Sequence, residues 1–128
     1  DFNNVNVATA FTKLAKLHRQ TKAKLTPTEA QALVQLTARA SLRMNDFKPQ
    51  EVANTLWALA TMGLAAEEGK LIQALTTRAS KIVGEFNALE VDNTLWALRK
   101  MGLETEETLE QELAERAKEL KEAKQKAA

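Results

Sequence analysis

Asn54-Thr55-Leu56-Trp57-Ala58-Leu59 returns letter for letter as Asn93-Thr94-Leu95-Trp96-Ala97-Leu98, and Met62-Gly63-Leu64 returns as Met101-Gly102-Leu103. Leu36-Thr37-Ala38-Arg39-Ala40-Ser41 likewise comes back as Leu75-Thr76-Thr77-Arg78-Ala79-Ser80. All three pairs share one offset of 39 residues. A fixed period of this size marks an array in which each unit buries its apolar face against its neighbours. The fold class that follows is all-α: an α-solenoid of stacked helical hairpins, with six helices and a period of 38–39 residues. Function in such arrays lies on an extended surface rather than in a deep pocket.

Working outward, each unit reads as two helices. The second opens on Phe47-Lys48-Pro49-Gln50-Glu51-Val52, with Pro49 at the first helical position, where its missing N–H costs nothing. Its next copy, Phe86-Asn87-Ala88-Leu89-Glu90-Val91, offers Asn87 as N-cap and Glu90 to close a capping box. Phe47 and Phe86 can staple onto Val52 and Val91. Phe2-Asn3-Asn4-Val5-Asn6-Val7 has the same spacing, so the chain starts on a further copy of this helix, 45 residues upstream of the middle one. The extra length is expected in a loop around Gln20–Leu25. Gly63 and Gly102 suit the left-handed residue after a helix.

The first helix of the middle unit opens on Thr26-Pro27-Thr28-Glu29, another capping-box spacing. At an offset of 38, Leu109-Glu110-Gln111 and Leu113-Ala114-Glu115-Arg116-Ala117 match Leu71-Ile72-Gln73 and Leu75-Thr76-Thr77-Arg78-Ala79. The charged end is thus a last first-type helix with a polar outer face. The expected organisation is a half repeat over 1–25, repeats over 26–64 and 65–103, and a capping half repeat over 104–128. The helices are expected near 3–18, 26–44, 48–62, 66–83, 87–101 and 105–125.

Composition narrows function. The 128 residues include no Cys and one His, which removes thiolate metal sites and nucleophilic Cys chemistry. No segment reads as a signal peptide or a membrane span, and the missing initiator Met suggests a segment of something longer or a processed product. The net charge of +1 conceals an asymmetry: residues 1–103 carry +4 and residues 104–128 carry −3. The excess is sharpest at Lys13, Lys16, Arg19, Lys22 and Lys24, opposed only by Asp1. A basic body permits a polyanionic partner.

Catalysis has little to stand on. His18 reads as a polar residue near a helix end, the four glycines are isolated rather than grouped in a phosphate loop, and the carboxylates fall in capping boxes or on solvated faces. The expectation is no enzyme, no cofactor, no metal and no small-molecule substrate. Trp57 and Trp96 invite a base-stacking role. Their place in a helix apolar around most of its circumference reads instead as an inter-repeat core wedge. Asn54 and Asn93 read as buried amides bonded to an adjacent loop backbone.

Comparing the two full copies of the first helix separates constant from changing positions. The pairs Gln31/Lys70, Gln35/Ala74, Ala38/Thr77 and Leu42/Lys81 differ, and their spacing of 4, 3 and 4 residues lines them along one face. A reader of a linear polymer needs such a variable stripe on a constant scaffold, and drift on a solvated face produces the same pattern. Arg39, Arg78 and Arg116 recur once per unit. They suit either a row of phosphate contacts or bridges to Asp46, Glu85 or a neighbouring carboxylate. At the stripe the last helix presents Thr108, Glu112, Glu115 and Glu119, so an RNA on this face should leave before it.

The stretch Pro49-Gln50-Glu51-Val52-Ala53-Asn54-Thr55-Leu56-Trp57-Ala58-Leu59-Ala60-Thr61-Met62-Gly63 resembles the signature of octotricopeptide repeats, helical hairpins of about 38 residues akin to tetratricopeptide and pentatricopeptide repeats. Val91 to Gly102 matches with departures at Asp92 and Arg99-Lys100, and the N-terminal copy lacks the Trp and the Gly. The resemblance implies binding of single-stranded RNA by factors acting in chloroplasts or mitochondria, where they stabilise, process or promote translation of particular transcripts. Related repeats also occur in bacterial proteins. The matching motif is the packing motif, so no base-reading residues carry over.

The sequence reading is therefore a non-enzymatic, sequence-selective binder of single-stranded RNA. Gln31, Gln35, Arg39, Lys70, Arg78 and Lys81 are its candidate contacts, and no membrane is involved. The alternatives are a protein-interaction scaffold using the same surface and an idealised repeat with no ligand of its own. RNA binding requires Arg39, Arg78 and Lys70 or Lys81 to converge on one concave face. Pairing of both arginines with carboxylates inside the fold would sink it.

Overall fold

Gly63 and Gly102 sit at φ +67° and +69°, the left-handed region that glycine enters without a Cβ penalty. There they end two helices in the same way. The amide of Leu64 reaches the carbonyl of Leu59 at 3.0 Å and that of Gly63 reaches Ala60 at 3.2 Å. Leu103 to Leu98 (2.9 Å) and Gly102 to Arg99 (3.0 Å) repeat the pattern, which occupies carbonyls the helix would leave open. The computed structural model describes residues 3–21, 24–103 and 107–127. It holds α1 (Asn4–Thr21), α2 (Pro27–Leu42), α3 (Pro49–Thr61), α4 (Gly69–Ile82), α5 (Ala88–Lys100) and α6 (Glu107–Ala127). Short 3-10 turns at Met44–Asp46 and Val83–Glu85 follow α2 and α4. No strand occurs among the described residues.

Helix entries follow the local chemistry. Thr26 and Glu29 exchange bonds of 3.1 and 2.8 Å, Asn87 and Glu90 two of 2.8 Å, and each pair satisfies two otherwise open amides. At α3 half of the box remains: Glu51 accepts from the Lys48 amide at 3.2 Å, and a lysine side chain has nothing to accept with. Asn3 caps α1 by accepting from the Asn6 amide at 3.0 Å. The staple residues Phe47, Val52, Phe86 and Val91 are all fully buried. Phe2, the first residue of the N-terminal copy, lies outside the described residues.

The helices form two rows. Second-type helices α1, α3 and α5 pack side by side, while α2, α4 and α6 form the other row, each resting on the helix before it. Central α3 buries Val52, Ala53, Thr55, Leu56, Ala58, Leu59 and Ala60, almost its whole circumference, because α1 and α5 flank it. In α5 the burial shrinks to Val91, Thr94, Ala97 and Leu98. Asp92 and Arg99 replace the buried Ala53 and Ala60 and lie exposed, as suits the end of the row among the described residues.

Three expectations change. The extra length near the N-terminus extends a helix rather than a loop: α1 runs 18 residues against 13 for α3 and α5, and it includes Gln20 and Thr21. Residues 24–26 are non-helical, and 22–23 lie outside the described residues. The fourth helix starts at Gly69 rather than 66, after a turn over 65–68. Asn54 and Asn93 are half-buried rather than buried. It is Asn4, at the head of α1, that ties two units together, donating to Glu51 Oε1 at 2.6 Å and to the Asp46 carbonyl at 3.2 Å.

Candidate nucleic-acid interface

The variable stripe is solvent-facing. Gln31, Gln35, Ala38 and Leu42 on α2 are exposed, as are Lys70, Thr77 and Lys81 on α4, with Ala74 half-buried. On α6, Thr108, Glu115 and Glu119 are exposed and Glu112 is half-buried, since its Oε1 accepts from Ser80 Oγ at 2.6 Å. The stripe is thus available to a ligand, and its acidic continuation on α6 is partly engaged in packing.

The structure divides the six candidate residues. Lys70, Arg78 and Lys81 line one groove of about 370 Å³. Its wall is built by the 3-10 turn after α2, through Met44 and Asn45, and its floor includes Gln73 and Thr77 of α4. No carboxylate lines it, so three cations and three polar side chains share one wet surface. Gln35 and Arg39 line a different, mostly apolar groove between α1 and α2. Gln31 lies exposed on α2, lining neither.

Arg78 is not a plain surface cation. Its Nε donates to the Phe47 carbonyl at 2.9 Å, and Arg116 does the same to the Phe86 carbonyl at 2.9 Å. For Arg78 and Arg116, the bridges to Asp46 or Glu85 considered from sequence give way to carbonyl contacts across consecutive units. Arg116 also meets a carboxylate, Glu119 of its own helix, at 3.5 Å. A guanidinium has five donors in a fixed fork, so one held at Nε still presents others. Thr37 Oγ1 adds a further tie along this row, donating to Glu68 Oε2 at 3.3 Å. Burial pushes the Glu68 carboxyl upward; the Thr37 bond works against that shift, and the neighbouring Glu67 charge adds to it.

Of the two tryptophans, Trp57 packs against the core while Trp96 departs from the core-wedge reading. Trp57 is half-buried, with the Arg19 guanidinium 5.5 Å from its ring centroid. Trp96 is 44% exposed, and Lys100, one turn further along α5, lies 5.7 Å from its ring. Trp57 is enclosed because α3 is central in its row. His18 is half-buried near the end of α1.

Sequence reasoning missed Asn45 and Gln73. Asn45 comes from a connecting turn with no repeat signature, and only the packing of that turn on α4 brings it to the basic cluster. Gln73 sits beside the variable stripe rather than on it.

The two-row stack and the recurring Arg-to-carbonyl lock set the frame for comparison with known proteins. A family model described as "RNA-editing substrate-binding complex 6 protein" matches residues 8–125. The chain belongs to this family. No curated protein and no solved structure matches it. The family match spans α2 to α5 whole and nearly all of α1 and α6, so it embraces both grooves.

Proposed function

We propose that this chain binds single-stranded RNA, without catalysis, as a repeat module of an RNA-editing assembly. The single observation that carries the reading is the groove in which Lys70, Arg78 and Lys81 stand together with Asn45, Gln73 and Thr77. Cations hold phosphates, and amides or hydroxyls beside them can address base edges of an unpaired strand. The family description, which names an RNA-editing substrate-binding complex, supports an RNA partner and protein partners. The octotricopeptide-like signature adds sequence selectivity and an organellar setting to the proposal. The editing description favours the mitochondrion over the chloroplast. Gln31, Gln35 and Arg39 extend the RNA path only if the strand leaves the α4 groove towards α2.

The test is fluorescence anisotropy of a randomised single-stranded RNA oligomer at two salt concentrations. About three phosphate contacts give a slope of log K against log salt near −2. Lys70→Glu with Lys81→Glu should abolish binding and leave the helical circular dichroism unchanged, since both side chains are exposed. Undiminished binding by that double variant would remove this groove as the RNA site.

A further inference from the structure

Central α3, flanked by α1 and α5, leaves only Gln50, Asn54, Trp57 and Thr61 unburied. Their spacing of 4, 3 and 4 residues sets them on one line along the helix. On the opposite side Val52, Thr55 and Leu59 are buried, so the line faces away from the row of α2, α4 and α6 and from the groove along α4. Leu89, Asn93, Trp96 and Lys100 hold the same places on α5, and Val5, Thr9, Thr12 and Lys16 on α1. No carboxylate stands on any of the three lines.

Between the two full units, this outer line separates positions that change from positions that stay. Gln50 becomes Leu89 and Thr61 becomes Lys100, while Asn54/Asn93 and Trp57/Trp96 are identical. Packing does not account for that identity. Trp96 is 44% exposed, and neither Asn54 nor Asn93 makes a side-chain hydrogen bond among the described residues. Each ring has a cation beside it, Arg19 at 5.5 Å from Trp57 and Lys100 at 5.7 Å from Trp96. A groove of about 440 Å³ runs along Trp96, lined also by Asp92, Leu95, Arg99 and Lys100. An aromatic face, an amide that donates and accepts, and a cation suit the plane, the edge and the phosphate of a nucleotide. The rings stand one per unit with amides between them. A docked helix would instead need a continuous apolar strip for anchors at i, i+3, i+4 and i+7.

We propose that this outer face of the second-helix row is a further nucleotide-binding surface. Trp57 and Trp96 each stack one base of an unpaired strand, Asn54 and Asn93 bond its edge, and Arg19 and Lys100 hold the adjoining phosphates. Trp96, the more open ring, is the stronger platform. Packed helices lie about 8–10 Å apart, so bases held on α3 and α5 belong to one short stretch of strand. The surface rests on the RNA reading for its ligand class but not for its residues. The α4 groove supplies the affinity for an oligomer, and the outer face, with one ring per unit, is the weaker contact.

The probe is an RNA trinucleotide of three adenosines, titrated to millimolar concentration into the isotope-labelled protein and into its Lys70→Glu, Lys81→Glu variant, whose α4 groove is disabled. In both, the two indole N–H resonances and the side-chain amides of Asn54 and Asn93 should move, those of Trp96 and Asn93 most. Read at the Asn93 amide, Trp96→Leu should weaken binding about fivefold or more, the worth of one stacked base. Trp96→Phe keeps an aromatic plane and should retain most of the affinity. Both variants should keep the helical circular dichroism, since the side chain is exposed. Indoles that stay still, or that move equally with tripolyphosphate, which carries charge and no base, overturn the proposal, as does parental affinity in Trp96→Leu. Indoles that move with protein concentration alone would give the face to a second copy and overturn it too. Shifts lost in the Lys70→Glu, Lys81→Glu variant would tie the indoles to the α4 groove, overturning this surface and leaving the RNA reading standing. Shifts kept in that variant while it binds the longer oligomer undiminished would support this surface and remove the α4 groove instead.

Discussion

The Nε of Arg78 donates to the backbone carbonyl of Phe47 at 2.9 Å, locking the first helix of one unit onto the turn that precedes the second helix of the unit before it. Arg116 and Phe86 repeat the contact at the same distance. A charge-assisted bond to a carbonyl is stronger than a neutral one, and the planar fork of arginine suits it better than a lysine ammonium does. Arg78→Lys should therefore lower stability by about 1–2 kcal/mol in urea denaturation while RNA affinity at low salt stays near the parent value. Arg78→Ala should lower both. An unchanged urea midpoint for Arg78→Lys would show the carbonyl contact to be incidental.

Gly63 and Gly102 have open space where a Cβ would stand, so any penalty for a side chain there is conformational rather than steric. Gly63→Ala should cost about 1–2 kcal/mol, the price of a left-handed L-residue. Gly63→Asn should cost less, because asparagine visits that region more readily. Thermal melts of the two variants check the order; equal midpoints would contradict it.

The tryptophans should be separable by fluorescence. With Trp57→Phe only the 44%-exposed Trp96 reports, and acrylamide should quench it strongly. With Trp96→Phe the remaining Trp57, half-buried under Arg19, should be quenched less. Equal quenching constants would mean that the second-helix row does not shield Trp57.

Burial raises the Glu68 carboxyl above its ordinary value of 4.5. The raised folded-state value means that proton binding favours the fold. Its contribution is fully present below the ordinary carboxylate range and is lost as pH rises through the raised value. Near neutrality the ionised group burdens the fold, and Thr37 offsets part of that burden. Glu68→Gln should therefore leave stability at pH 7 equal or higher and flatten the fall in stability just above the ordinary carboxylate range. Chemical denaturation across that interval measures it; an unchanged slope refutes the assignment.

Much of the fold was legible because the decisive interactions are local. The capping pairs Thr26–Glu29 and Asn87–Glu90 lie three residues apart, the helix-ending glycines directly follow the apolar run, and the buried faces repeat with the helical period. Where a loop was expected at Gln20 and Thr21, helix formed, because nothing between Arg19 and Thr21 breaks the α1 pattern. The candidate site was legible only in part. The stripe positions on α2 and α4 are exposed apart from the half-buried Ala74, yet the groove that gathers Lys70, Arg78 and Lys81 depends on where the turn at Met44–Asp46 packs.

By itself, the sequence determined the helices, their caps and ends, the period of the stack and the exposed stripe, since each follows from residues within a few turns of one another. Tertiary structure alone decided what each recurring residue does. The same Asn-Thr-Leu-Trp-Ala-Leu gives a half-buried Trp57 in the middle of a row and an open Trp96 at its end. Likewise a Leu at position 17 is exposed where a Met at 62 is covered, and Arg78 and Arg116 turn their Nε to a backbone carbonyl of the unit before. Burial is a property of neighbours, and neighbours in a stack come from 30 to 50 residues away in the chain.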